Sequence, residues 1–198
     1  MIASAAPVVG IVSLAMSFSD LKETIIYKRI SLLPLKPWIF VASIISFYTI
    51  LIWLSGLWIF LFSLIWYKQL PLVTINFGYI ILGMIFLSII CSSLGLIVAT
   101  ITKDYKSANA ISMLFYLPPA FISGMYLPIS IIIKSEALRI IAITMPFSYP
   151  VSLINYGWNS KQSLLFNQPI YVFILISLGI AILFVSLAII TFKFRKKN

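Results

Sequence analysis

The sequence predicts an all-α fold, a polytopic bundle of about five membrane-spanning helices. Three observations carry the prediction. First, 62% of the 198 residues are hydrophobic and the mean hydropathy is +1.13, more apolar surface than a soluble domain of this size can hide in its interior. Second, the apolar residues fall into long uncharged runs separated by short charged stretches. Third, the basic residues are unevenly shared among those stretches. The net charge of +10 therefore speaks of membrane topology and not of nucleic acid.

The first run, residues 1–19, is uncharged and rich in small residues such as Ala6 and Gly10, which permit close helix packing. It has no positive n-region and no clear cleavage site, so it reads as a span and not as a signal peptide. A chain that begins within a span is expected to be a truncated product. Residues 20–33 follow as a charged, amphipathic helix. The next span, 39–66, exceeds the ~20 residues needed to cross a bilayer, so it must tilt or extend into the interface. Trp38 at one end and Trp66 with Tyr67 at the other suit interfacial belts.

The span at 76–101 carries Ser88/Ser92 and Gly95/Ala99 at the spacing that brings helices together. The turn Thr102 to Ser107 comes next, with Lys103 and Lys106. Residues 108–133 are apolar but interrupted, and five of the ten prolines lie between 118 and 150. That density predicts a span followed by short re-entrant helices over 118–160. The last span, 169–192, ends in KFRKKN. With residues 20–33 and the C-terminus in the cytosol, ten of the fourteen basic residues lie inside, as the positive-inside rule requires. The N-terminus is then outside.

Six of the eighteen charged residues lie between Asp20 and Trp38. On a helix at 100° per residue, Asp20, Glu23, Thr24, Tyr27 and Ser31 form one polar stripe, while Leu21, Ile25, Ile26, Ile30, Leu32 and Leu33 fill the other half. Asp20 and Glu23, three apart, are placed to cap the helix start and suit its dipole. Lys22 and Arg29 fall in the apolar half, where long stems can lie along lipid. Pro34 and Pro37 stop the helix. The expected product is a surface helix with Asp20, Glu23 and Tyr27 facing the cytosol.

Three short motifs stand in order along this framework. Glu23, Lys28-Arg29 and Pro34 follow the first span; Phe121, Ser123, Gly124 and Pro128 form an FxSGxxxP pattern; Pro146, Phe147, Ser148, Tyr149 and Pro150 spell PFSYP. Together they resemble the membrane subunit of ABC-2 type exporters, with Ile25-Ile26 where that family's first motif has Gly-Thr. The family's amphipathic N-terminal helix and first span have no counterpart here. The resemblance implies a permease of a bacterial cell membrane that exports an amphipathic or apolar substrate, such as a drug, an antibiotic peptide or a lipid-linked molecule. It implies that Asp20, Glu23, Tyr27, Lys28 and Arg29 couple to a separate ABC ATPase subunit, which binds ATP and Mg. It also implies that Phe121, Ser123, Gly124, Pro128, Pro146, Phe147, Tyr149 and Pro150 build the outer gate, and that the pore forms with a second copy or a homologous permease.

The residues themselves bear on the energy source. All four acids, Asp20, Glu23, Asp104 and Glu136, lie in turns or at span ends, and there is no histidine. An ion-coupled carrier needs ionisable groups inside the membrane. The chain has no GxxxxGK[ST] phosphate loop, so it is not itself the ATPase. Scattered serines and the single Cys91 supply neither a metal site nor a catalytic set, which counts against the alternative of a membrane-embedded lipid-modifying enzyme. A non-transporting anchor or sensor subunit stays open at this stage.

Overall fold

A computed structural model describes residues 2–25, 27, 36–66, 75–127, 129–158 and 168–192. Among these residues every regular element is helical. Helix α1 (Ala5–Glu23) includes a π-helical stretch, Val8–Ser13, and follows one 3-10 turn. Its first turn holds Pro7, a place where the missing N–H breaks no ladder bond. Helix α2 (Pro37–Trp66) likewise begins on a proline, with the Ile39 amide donating to the Lys36 carbonyl at 3.0 Å. Trp38 and Trp66, at its two ends, are both exposed.

Helix α3 (Phe77–Ile101) is the axis of the bundle. It packs against α1, α2, α7 and α8, and 67% of its span window is buried against 17% for α2 and 22% for α8. Small residues make this possible. A Cβ added at Gly95 would stand 2.0 Å from the Gly10 carbonyl oxygen, and one added at Gly10 would stand 2.8 Å from Cys91 Cβ, so α1 and α3 cross backbone to backbone at the π-helical stretch. Ser88 and Ser92 are fully buried on α3; they donate to the carbonyls of Ile85 (2.9 Å) and Ser88 (2.8 Å) within their own helix. The spacing expected to favour helix contact thus adds no unpaired polar group.

Helix α4 (Tyr105–Ile122) contains Pro118 and Pro119 and stops at a turn. Three short helices follow: α5 (Ile129–Lys134), α6 (Glu136–Thr144) and α7 (Ser148–Trp158). α6 and α7 meet at 110°, and α7 then lies along the first half of α3. Its Gly157 faces the Asn76 carbonyl, and Gly83 of α3 faces the Pro150 carbonyl, each too close for a Cβ. Helix α8 (Ile170–Thr191) closes the bundle against α3 and α7. Four helices, α1, α2, α3 and α8, are long and apolar enough to cross a membrane, and five if the bent α6–α7 pair counts as one.

The elements sort into two ends. Contacts among Phe18, Lys22, Phe40, Ala99 and Phe192 gather the end of α1, the start of α2, the end of α3 and the end of α8 at one pole, here termed the charged end. The start of α4 joins them through the short Thr102–Asp104 link. The opposite pole, the far end, holds the α4–α5 turn, the α6–α7 bend and the first turns of α3 and α8, joined by ring contacts such as Phe60–Trp158 at 6.4 Å and Tyr149–Phe173 at 6.0 Å.

Candidate functional site: the charged end and the far-end turns

At the charged end the sequence places a helix start at Asp20, whereas the structure continues α1 through Glu23, and most of the expected helix lies outside the described residues. Asp20 and Glu23 belong to the last turn of α1, and the chain breaks at Thr24, whose ψ of 156° is extended. Thr24 is the capping residue. Its hydroxyl accepts from the Tyr27 amide at 3.4 Å and donates to the Leu21 carbonyl at 2.6 Å, so one side chain serves both the end of α1 and the start of the next turn. A hydroxyl followed three residues later by a backbone donor was readable in Thr24–Tyr27, but the Asp20–Glu23 pair masks it.

Asp20 and Glu23 are exposed, as expected of the polar stripe. Tyr27 is not a solvent-facing member of it. Its ring lies edge-on to Phe18 with centroids 5.9 Å apart, and burial raises its phenol above the usual tyrosine value. Lys28 and Arg29 lie outside the described residues.

Lys22 does not lie along lipid, as its position in the apolar half suggested. Its ammonium donates to the carbonyl of Ala99 and to that of Thr102 (3.3 Å) and sits 5.7 Å from the centre of the Phe18 ring. Beside it the buried hydroxyls of Ser19 and Thr102 are 3.3 Å apart. Sequence reasoning missed this group, because the partner carbonyls are nearly eighty residues away and carry no side-chain signature. The neighbouring loop has a signature in full: Asp104 accepts from the Ser107 amide and hydroxyl (3.3 and 2.8 Å), and Ser107 Oγ accepts from the Asp104 amide (3.4 Å). This capping box starts α4. The Ser107 hydroxyl, then the Ser107 amide, hold the Asp104 carboxyl below its usual value.

At the far end the two remaining motifs come together. Gly124 has φ +87°, the left-handed region that only glycine enters cheaply, and it turns the chain after Ile122. Asn155 of α7 donates to the Gly124 carbonyl at 3.4 Å. Phe121 and Tyr126 pack ring to ring at 5.3 Å, and the Tyr126 hydroxyl bonds that of Tyr116 at 2.6 Å. Ser123 is fully buried, and Pro128 lies outside the described residues. In PFSYP, Pro146 lies in the turn, Phe147 is buried beside Val151, and the Tyr149 hydroxyl donates to the Ile143 carbonyl at 2.9 Å across the α6–α7 bend. Pro150 is buried against Gly83. These residues fold a turn and a bend against one another. Tyr116 and Asn155 belong with them and were not singled out from the sequence.

Between α2, α3 and α7 opens a crevice of about 260 Å³ lined by Trp53, Gly56, Leu57, Phe60, Phe77, Ile80, Ile81, Met84 and Trp158. It offers no titratable group. Among the described residues no three of His, Cys, Asp and Glu are grouped to hold a metal.

A family model described as ABC-2 type transporter matches residues 1–158, from the π-helical crossing through the charged-end turn to the last residue of α7. The chain belongs to the ABC-2 type transporter family. No curated protein and no solved structure matches it. The charged end and both far-end motifs lie within the matched residues, and α8 lies beyond them. As an ABC-2 permease the chain is a multi-pass membrane protein and a transporter subunit. The family generally works with an ABC ATPase subunit.

Proposed function

We propose that this chain is the permease of an ABC-2 exporter in a bacterial cell membrane. It moves an amphipathic or apolar substrate outward on the energy of ATP, bound with Mg and hydrolysed by a separate ABC ATPase subunit. The charged end and the C-terminus face the cytosol. The ATPase docks on the charged end through Asp20, Glu23 and the residues after Thr24, Tyr27, Lys28 and Arg29 among them. The far-end residues Phe121, Ser123, Gly124, Pro128, Pro146, Phe147, Tyr149 and Pro150 form the outer gate, and a second permease, identical or homologous, completes the pore.

The observation that carries this reading is the arrangement of charge. The described acids all sit exposed at the two ends of the helices, which leaves the bundle without the buried carboxylates that ion coupling uses. At the charged end, exposed Asp20, Glu23, Lys103, Asp104 and Lys106 stand next to a capped turn that is packed onto the core. A soluble partner can push on such a surface. The uncharged spans and the apolar crevice suit a substrate with an apolar part.

Glu23→Lys in the permease, co-expressed with its ATPase subunit, tests the docking assignment. Export and permease-stimulated ATP hydrolysis are expected to fall while the protein inserts at normal abundance. Export at the unmodified rate would remove Glu23 from the docking surface.

A further inference from the structure

An ATPase docked at the charged end pushes on the bundle there. The contacts around Lys22 form a continuous path for that push. Helix C-termini leave carbonyls unpaired, and a cation suits the negative end of the dipole. Lys22, one residue from the end of α1, supplies that cation to the carbonyls of Ala99 and Thr102, the last turn and cap of α3. The Ser19 and Thr102 hydroxyls join the same two helices 3.3 Å apart. On its other side Lys22 stands over Phe18, and Phe18 carries the ring of Tyr27 from the segment after Thr24.

We propose that Lys22, with Ser19 and Thr102, is a clamp that makes the end of α1 and the end of α3 move as one body, so that displacement of the Tyr27 segment is delivered to α3. The inference rests on the proposal that an ATPase docks at the charged end. α3 is the helix through which such a displacement spreads, because it alone packs against α1, α2, α7 and α8 among the described elements. Its tight contacts at Gly83 and with Gly157 pass the movement to α7 and so to the far-end bend. Lys22 is a positioning residue, acting through the carbonyls it holds. The bundle does not need the clamp to assemble, since the Gly10–Gly95 crossing already fixes α1 on α3.

The test uses the full permease–ATPase complex in proteoliposomes with Mg-ATP as the probe and a reporter cysteine replacing exposed Ala137 of α6, read as its rate of labelling by an impermeant maleimide. ATP is expected to change that rate in the otherwise unmodified complex. Lys22→Met keeps the stem and removes the ammonium; it is expected to cut the ATP-dependent change about tenfold, a factor usual for coupled sites, with basal hydrolysis held within about twofold. Lys22→Arg is expected to retain the response, which loss of packing alone would not predict. In Lys22→Met, cysteines at Ser19 and Thr102 joined as a disulfide are expected to restore it, and with Lys22 intact the same disulfide should leave it unchanged. A normal response in Lys22→Met overturns the clamp, as does a disulfide that blocks the response until it is reduced. If Lys22→Met does not fold, the disulfide with Lys22 intact decides the matter alone. Failure of the unmodified chain to bind an ATPase subunit or to respond to ATP overturns the exporter reading instead, and is told apart by appearing before any substitution.

Discussion

At the scale of single residues, the glycines divide by what surrounds them. Gly95 has the Gly10 carbonyl where its side chain would be, while Gly179 of α8 has nothing within 4 Å. Gly95→Ala must push α1 away from α3, and overpacking of this kind costs about 1–3 kcal/mol. Gly179→Ala fills open space on a helix and is expected to be neutral or slightly stabilising, since alanine is the better helix former. Thermal unfolding in detergent, followed by helical circular dichroism, should separate the two variants in that order; equal midpoints would mean that the α1–α3 crossing is looser than the structure has it. Gly124 is a different case. Its φ of +87° makes Gly124→Ala cost about 1–2 kcal/mol from backbone strain alone. The loss should appear as a lower unfolding midpoint even though Ile129 Cγ1, at 3.3 Å, has some room to give.

At the scale of elements, the capping box of α4 carries a pH dependence whose sign follows from its hydrogen bonds. The Ser107 hydroxyl and amide stabilise the Asp104 carboxylate and lower its pKa, so the folded state binds the proton less readily than the unfolded chain. The contribution to stability is present above the ordinary carboxylate value of about 3.9 and is lost as pH falls through the lowered folded value. Ser107→Ala removes the largest cause, so the Asp104 carboxyl should titrate at higher pH by carbon-13 NMR of labelled aspartate. An unmoved titration would assign the shift to other groups. The sequence made several elements legible for a plain reason. Long uncharged runs leave one option in lipid, a helix with its backbone bonds inside the segment, and the small-residue spacing on α3 marks where neighbours approach. Boundaries and contacts were less legible: the cap at Thr24 is local but was masked by the Asp20–Glu23 pair, and the contacts of Lys22 depend on carbonyls of α3 that no local pattern encodes. Tyr27 turned inward because Phe18 offered it a ring, which a helical wheel of residues 20–33 alone does not contain. The far-end motif was readable at Gly124, where only a glycine turns cheaply, and unreadable at Asn155 and Tyr116, whose partners lie 31 and 10 residues away.

At the scale of the whole molecule, the two ends differ in a way that fixes one further expectation. Lys22, Lys36, Lys103 and Lys106 belong to the charged end, and Lys134 and Arg139 to the far end. The same helices that gather the first group at one pole carry the second to the other, so sidedness inferred from charge and sidedness inferred from packing agree. Positive residues are retained on the cytosolic face, which supports the proposed orientation with the charged end inward. Cys91 is buried at the α1–α3 crossing, and burial of its sulfur leaves it inert toward polar reagents, so single cysteines can be added without removing it. A cysteine at Lys106 should react with an impermeant maleimide only after the cells are opened, and a cysteine at Lys134 should react in intact cells. Labelling of both from one side would break the alternation of α3 and α4 between the poles. Labelling of Lys134 alone from inside would invert the molecule, placing the ATPase surface at Glu23 where no ATP reaches it and removing the exporter reading.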